Sequence, residues 1–306
     1  CYVPNRGDAW QYTLDTLRLC FDDPTAAACP QAPAAPASRL LDRLDEEPPP
    51  DVAGRIGAYL GTARLLGQRT AELHLALSSQ PADPAFAPEP MSELDLRSLH
   101  QSCRSRLNDT LYLLRRKLKR IPEAHRAQAE AVLAAAPEAQ RRFRALLGRK
   151  VSGQRIRCHG DYRLRQVLFT GSDFQIFDFE GAATRSLEGR RIKRSPLRDV
   201  AGMLRSFDSA AYTVLLGRVG VARAEDAARL EPWAQTWSRW VSLAFLKSYL
   251  ATLGESPILP RNREETGVLL EVLLIERALS ELRHELEQHP EWAVIPLKGL
   301  ARLLEL

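Results

Sequence analysis

Two short β-forming runs, Gln166-Val-Leu-Phe169 and Phe174-Gln-Ile-Phe177, stand in the middle of a chain that otherwise carries helical patterning. Thr170-Gly-Ser-Asp173 between them is turn chemistry, so the runs predict a tight hairpin. A third run, Arg155-Ile-Arg-Cys158, precedes them. On both sides, apolar residues recur at helix spacing. Leu14, Leu17, Leu19 and Phe21 do so near the start, and Ile56, Tyr59, Leu60, Ala63, Leu66 and Leu73 across 52–78. Residues 92–119 and 123–148 read the same way, with a break at Pro122. From about 197 the pattern is helical again, interrupted at Pro257-Ile-Leu-Pro260 and at Pro290. The expected class is α+β, predominantly helical, with one small β element embedded in it.

Four segments follow from this pattern. Residues 1–23 hold a turn-rich opening and a first helix. Residues 24–50 are rich in Ala and Pro and end Glu46-Glu-Pro-Pro-Pro50, which predicts an exposed, partly extended linker. Residues 51–150 form a helical intermediate subdomain. Residues 151–306 hold the hairpin and a carboxy-terminal helical subdomain.

Composition narrows the function classes. With 45% hydrophobic and 26% charged residues the chain is an ordinary globular one, and wholesale disorder is excluded. A net charge of +5 over 306 residues permits an anionic substrate without demanding nucleic acid. Apolar stretches such as Val241 to Leu246 are too short to cross a bilayer, so no membrane partner and no secretory signal are expected. Five cysteines without CxxC pairing argue against a disulfide framework and a structural zinc; they read as reduced thiols of a cytoplasmic protein.

Carboxylates bracket the hairpin. Before it stands His159-Gly-Asp-Tyr162, with Gln166 five residues beyond Asp161; after it stands Asp178-Phe-Glu-Gly181. A hairpin returns the chain, so Asp161, Gln166 and Asp178 can converge at one end of the ribbon. Phosphoryl transfer uses such a set: one carboxylate to orient or deprotonate the attacking hydroxyl, and an amide oxygen and a second carboxylate for magnesium. Any one of these motifs alone is weak, since a carboxylate beside a turn is usually a cap or a solvated loop residue. The ordered combination is specific, and it points to kinase-like ancestry.

His159-Gly-Asp-Tyr-Arg-Leu-Arg-Gln-Val-Leu168 followed by Asp178-Phe-Glu-Gly181 resembles the aminoglycoside-phosphotransferase-like kinases, and most of all their maltokinase branch. The run from Arg190 to Phe207 is similar to that branch, as are Val3-Pro-Asn-Arg-Gly-Asp-Ala-Trp10, Thr70-Ala-Glu-Leu-His-Leu-Ala-Leu77, Asp83 to Pro90 and Pro290 to Leu297. The resemblance spans essentially the whole chain. It implies a protein-kinase-like large lobe and an ATP-dependent transfer of phosphate to the anomeric hydroxyl of maltose, giving maltose 1-phosphate for glycogen synthesis. It assigns Asp161 as catalytic base and Gln166 and Asp178 as ligands of the Mg²⁺ that accompanies ATP. His159 and Asp199 become structural supports. It also implies an amino-terminal lobe absent here, hence poor ATP affinity for this chain alone, and a possible tether to trehalose synthase. A degenerate, non-catalytic kinase-like domain and a kinase for another sugar are the competing readings.

Several positions depart from the family pattern. Arg163 and Arg165 replace a His and a Gly, so Arg163 can clamp a phosphate, obstruct the pocket or pair with Asp161. In Ile275-Glu-Arg-Ala-Leu-Ser-Glu-Leu-Arg-His-Glu-Leu286, residues Arg277, Ser280 and His284 stand where Lys, Tyr and Tyr are usual, which makes them candidate substrate-binding residues. Trp237, Trp240 and Tyr249 have spacings that fit core packing. The basic run at 104–120 reads as a solvated helix face. The run Arg190-Arg-Ile-Lys-Arg194 reads as lining an anionic pocket or pairing with local carboxylates, and neither belongs to a nucleic-acid module.

Overall fold

The computed structural model describes residues 3–22, 40–149, 151–181, 186–219 and 224–306. It is mostly helical. The first half contains α1 (Ala9–Asp22), α2 (Pro50–Ile56), α3 (Tyr59–Leu77), α4 (Glu93–Lys117), α5 (Arg126–Ala134) and α6 (Ala136–Arg144). The second half contains α7 (Leu187–Arg191), α8 (Leu197–Val219), α9 (Ala224–Leu253), α10 (Arg263–Gln288) and α11 (Val294–Leu303). Two small antiparallel pairs complete the described residues: β1 (Glu89–Pro90) with β2 (Gln154–Arg155), and β3 (Val167–Phe169) with β4 (Phe174–Ile176).

The expected hairpin is β3–β4. Its register pairs Val167 with Ile176 and Phe169 with Phe174 around the Thr170–Asp173 turn. Thr170 N–H donates to the Asp173 carbonyl at 2.9 Å, and the Thr170 hydroxyl accepts from Asp173 N–H at 3.1 Å, which closes the turn. The opening segment adds a third rail. Arg6 N–H donates to the Phe169 carbonyl at 2.8 Å, and Phe169 N–H donates to the Gly7 carbonyl at 3.0 Å. The Tyr12 ring then stacks on Phe169 with centroids 4.2 Å apart. Arg155-Ile-Arg-Cys158 does not join this ribbon; β2 pairs with β1 instead, and Ile156 bridges Arg194.

Helix starts carry their own chemistry. Ser92 and Asp95 form a reciprocal capping box at the start of α4, with Asp95 N–H on the Ser92 hydroxyl at 3.2 Å and Ser92 N–H on the Asp95 carboxylate at 2.9 Å. The Asn262 side chain accepts from Glu265 N–H at 2.7 Å and begins α10. The stretch 52–78 is two helices because Gly57 takes φ +60° and stops α2. The stretch 123–148 likewise divides at Ala135 between α5 and α6.

One part of the linker expectation is corrected. Residues 40–44 are not exposed chain. Leu40, Leu41 and Leu44 are buried, with a 3-10 turn over Leu41–Arg43. Arg239 holds Glu46 at 2.9 Å, pinning the segment to α9. Three leucines within five positions offer enough apolar surface to dock despite the prolines around them. Residues 24–39 lie outside the described residues.

One contiguous apolar core runs from Ala9 to Leu304. α3 lies against α9, and α8 against both α9 and α10. The α3–α9 approach is close enough that a Cβ on Gly67 would stand 2.3 Å from the Phe245 carbonyl oxygen. Trp237, Trp240 and Tyr249 of α9 are buried in this core. Cys103 and Cys158 are in no disulfide among the described residues, and burial pushes the Cys103 thiol up to about 12. No described helix is long and apolar enough to cross a membrane.

Candidate active site

The first turn of α8 holds the loop before the hairpin. Asp199 is 1% exposed and accepts the N–H groups of His159 at 2.7 Å and Gly160 at 2.9 Å. His74 of α3 approaches the same carboxylate through Nε2 at 3.3 Å, while its Nδ1 lies 2.9 Å from the Tyr249 hydroxyl. Burial by itself would raise the Asp199 pKa. The hydrogen bond and charge of His74, then His159 and the Gly160 N–H, outweigh it and hold the carboxyl below its ordinary range.

His159 stitches the loop to the far end of the hairpin. Its Nε2 lies 2.8 Å from the Phe177 carbonyl, an acceptor only, so Nε2 carries the hydrogen. Nδ1 is then free to accept from Asp161 N–H at 3.4 Å. Phe177 N–H in turn donates to the Gln166 carbonyl at 3.1 Å. Gly160, at φ +87°, lies beside the Asp178-Phe-Glu-Gly181 segment, where a Cβ would make ordinary contact with the Gly181 Cα at 3.6 Å. The His159–Tyr162 loop, the start of β3 and the residues after β4 therefore meet.

Within this junction two side chains are unusual. Gln166 is 9% exposed, and its Oε1 has no hydrogen-bond partner among the described residues. A buried oxygen left this way costs roughly 1–3 kcal/mol unless something ligates it. Asp178 is exposed and sits at φ +65°, a region that non-glycine residues seldom occupy. An amide oxygen lacking a partner and a free carboxylate are donors suited to a hard divalent cation. No group of three or more His, Cys, Asp or Glu able to hold a metal ion occurs among the described residues. The expected pair is smaller than that.

Asp161 opens on the other side, into a cleft of about 610 Å³ between the loop, α8 and α10. Gln166 and Asp178 do not line that cleft. The cap at Asn262 sets the phase of α10, so positions 276, 277, 280, 281 and 284 fall on one face at 3.6 residues per turn and reach the cleft together. Arg277, Ser280 and His284 thus share it with Asp161 and Arg163.

Two guanidinium groups grip Asp161. Arg163 Nη2 lies 2.8 Å from Oδ2, and Arg277 Nη1 lies 3.1 Å from Oδ1. Of the three roles open to Arg163 in the sequence, pairing with Asp161 is the one observed. Arg277 also pairs with Glu281 at 3.2 Å, and Glu281 is fixed by Arg205 of α8 at 2.9 Å. Burial pulls the Arg277 pKa down, but Glu281 and Asp161 more than offset it, so the side chain stays a cation. Arg165 takes no part. It lies in a 3-10 turn, needs no positive φ, and covers the Trp10 ring at 4.8 Å.

Some site residues gave little sign in the sequence. Glu276 is 6% exposed and pairs with Arg106 of α4 and Arg198 of α8, each at 3.0 Å. Arg106 Nη1 also donates to the Ser280 hydroxyl at 3.4 Å. Arg106 sits inside the basic run that reads as a solvated face, and one turn of helix periodicity separates it from neighbours that are solvated. His74 and Arg198 carried a signal: the first lies in Thr70-Ala-Glu-Leu-His, the second precedes Asp199.

No family model matches the chain. It is 25% identical over 243 residues to a glucosamine kinase of Streptacidiphilus jiangxiensis, across 79% of this chain and 49% of that protein. A solved glucosamine kinase in complex with glucosamine, ADP and inorganic phosphate matches with a TM-score of 0.71 at 21% identity, covering 99% of this chain and 62% of its own. A second crystal form of glucosamine kinase matches with a TM-score of 0.67 at 21% identity, over 98% of this chain and 60% of its own. The chain spans about half the length of the curated relative. These relatives are sugar kinases, and over nearly its whole length this chain shares the fold of their matched portion.

Proposed function

We propose that this chain carries the catalytic loop and acceptor cleft of an ATP-dependent sugar kinase. The observation that carries the reading is Asp161. It follows a loop held by Asp199 through two backbone N–H groups and faces a cleft lined by α10. In the proposed step a sugar hydroxyl oxygen attacks the γ-phosphorus, its proton passes to the Asp161 carboxylate, and ADP leaves. Gln166 and Asp178 would hold Mg²⁺, whose chemistry there is to neutralise phosphate charge. The oxygen of Gln166 that lacks a partner supports that fit. His159 and Asp199 position the loop. Arg277, Ser280 and His284 would meet the acceptor.

For the acceptor we place an amino sugar of the glucosamine type ahead of maltose. The curated relative is named for glucosamine, and the cleft offers Glu285, a half-buried carboxyl whose pKa burial pushes up and which a protonated amine would relieve. A second reading, a kinase-like domain that binds nucleotide without transfer, is favoured by the two arginines on Asp161. ADP release from Mg-ATP in the presence of glucosamine, glucose or maltose separates these. Transfer to glucosamine that falls about 100-fold or more in Asp161→Asn is expected. Transfer that survives in Asp161→Asn would falsify the assignment of the base. Saturable Mg-ATP binding with no acceptor phosphorylated would favour the non-catalytic reading.

A further inference from the structure

A second cleft, of about 410 Å³, lies behind the wall formed by Arg106, Glu276 and Arg198, which line both spaces. Five of its lining residues are cations (Arg106, Arg155, Lys193, Arg194 and Arg198), against two carboxylates, Asp95 and Glu276. Four of the five already hold a carboxylate. Arg155 pairs with Asp95 at 2.8 Å and with Glu89 at 2.7 Å, and Lys193 pairs with Glu89 at 2.7 Å. Arg106 and Arg198 share Glu276 at 3.0 Å.

Arg194 is the exception. Its backbone is fixed by reciprocal hydrogen bonds with Ile156 at 2.9 Å, but its guanidinium makes no hydrogen bond or ion pair among the described residues. Burial, then the neighbouring Arg198, work against its charge and outweigh the support it draws from Glu276, which is already shared by Arg106 and Arg198. Leu96 and Leu269 give the same cleft apolar surface. A half-buried planar fork with no ion pair of its own among the described residues, in a cleft with more cations than carboxylates and the volume of a small-molecule site, suits an oxyanion.

We propose that this cleft binds orthophosphate or a small phosphomonoester, with Arg194 as its principal ligand. Such binding is separate from the Asp161 cleft and does not depend on transfer activity. Calorimetric titration of the whole chain, without nucleotide or magnesium, would use inorganic phosphate, glucose 6-phosphate and glucose. Both phosphates should bind and glucose should not. Binding should weaken at least ten-fold in Arg194→Gln and persist in Arg163→Gln. Tighter glucose 6-phosphate binding would identify a phosphosugar as the occupant, and equal binding the free ion. Unchanged binding in Arg194→Gln, or loss in Arg163→Gln instead, overturns the proposal. Should Arg194→Gln fail to fold, phenylglyoxal labelling of the wild type read by mass spectrometry decides the matter: phosphate should protect Arg194, and equal labelling with and without phosphate rejects the site.

Discussion

Asp161 is held at both oxygens, and the two holders differ in how easily they let go. Arg163 is 38% exposed at its side chain and has no second carboxylate among the described residues. Arg277 is 20% exposed and locked by Glu281. Removing Arg163 frees a lone pair for the acceptor hydroxyl at a net cost of about one hydrogen bond. On the proposed mechanism, Arg163→Gln should raise initial transfer rates roughly five-fold, corresponding to about 1 kcal/mol. A fall in rate would instead mean that Arg163 holds a substrate group. Asp199 gives a prediction about stability. In Asp199→Asn, one anion serving two N–H groups and His74 is lost in a fully buried site, so urea unfolding at neutral pH should show a loss of about 3 kcal/mol. The Asp199 pKa is depressed on folding, so its contribution is present above the ordinary value of 3.8 and fades as pH falls through the folded value. The gap between wild type and Asp199→Asn should therefore narrow below about pH 3.8. A gap that stays constant with pH would show that the charge on Asp199 is not what holds the loop.

Among the elements, the hairpin was legible and the helix contacts were not. The β3–β4 ribbon could be read from two β-forming runs and a Gly-containing turn, both local properties. The rail supplied by Arg6 and Gly7 could not, because pairing across some 160 residues leaves no local trace. The same holds for Gly67. In sequence it is one more helical glycine, which isolated propensity would replace with Ala for a gain of about 1 kcal/mol. The tertiary contact reverses that sign, since the new Cβ would meet the Phe245 carbonyl oxygen at 2.3 Å and Tyr249 N at 3.1 Å, both backbone atoms. Gly67→Ala should destabilise by about 2–3 kcal/mol in denaturant unfolding, because α3 and α9 must separate to admit one methyl group. A neutral or stabilising result would mean that the two helices are not held this close.

At the scale of the whole molecule, the hairpin, the Asp199 anchor of the His159–Tyr162 loop and the α10 face all draw on one contiguous core. Tryptophan fluorescence, to which the buried Trp233, Trp237 and Trp240 contribute, and far-UV circular dichroism should follow the same single denaturant transition. Two separated transitions would divide the chain into independently folding parts. The order of motifs along the chain was enough to determine a mostly helical fold with one embedded hairpin, and to single out Asp161, Gln166 and Asp178 as the residues to examine. Those features depend on near neighbours and on turn chemistry. Only the tertiary structure decided that Arg163 and Arg277 close on Asp161, that Glu276 joins α4 to α8, and that Arg194 lines a second cleft with no ion pair of its own among the described residues. Ion pairs between distant helices depend on helix phase and packing distance, and neither quantity is written in local residue patterns.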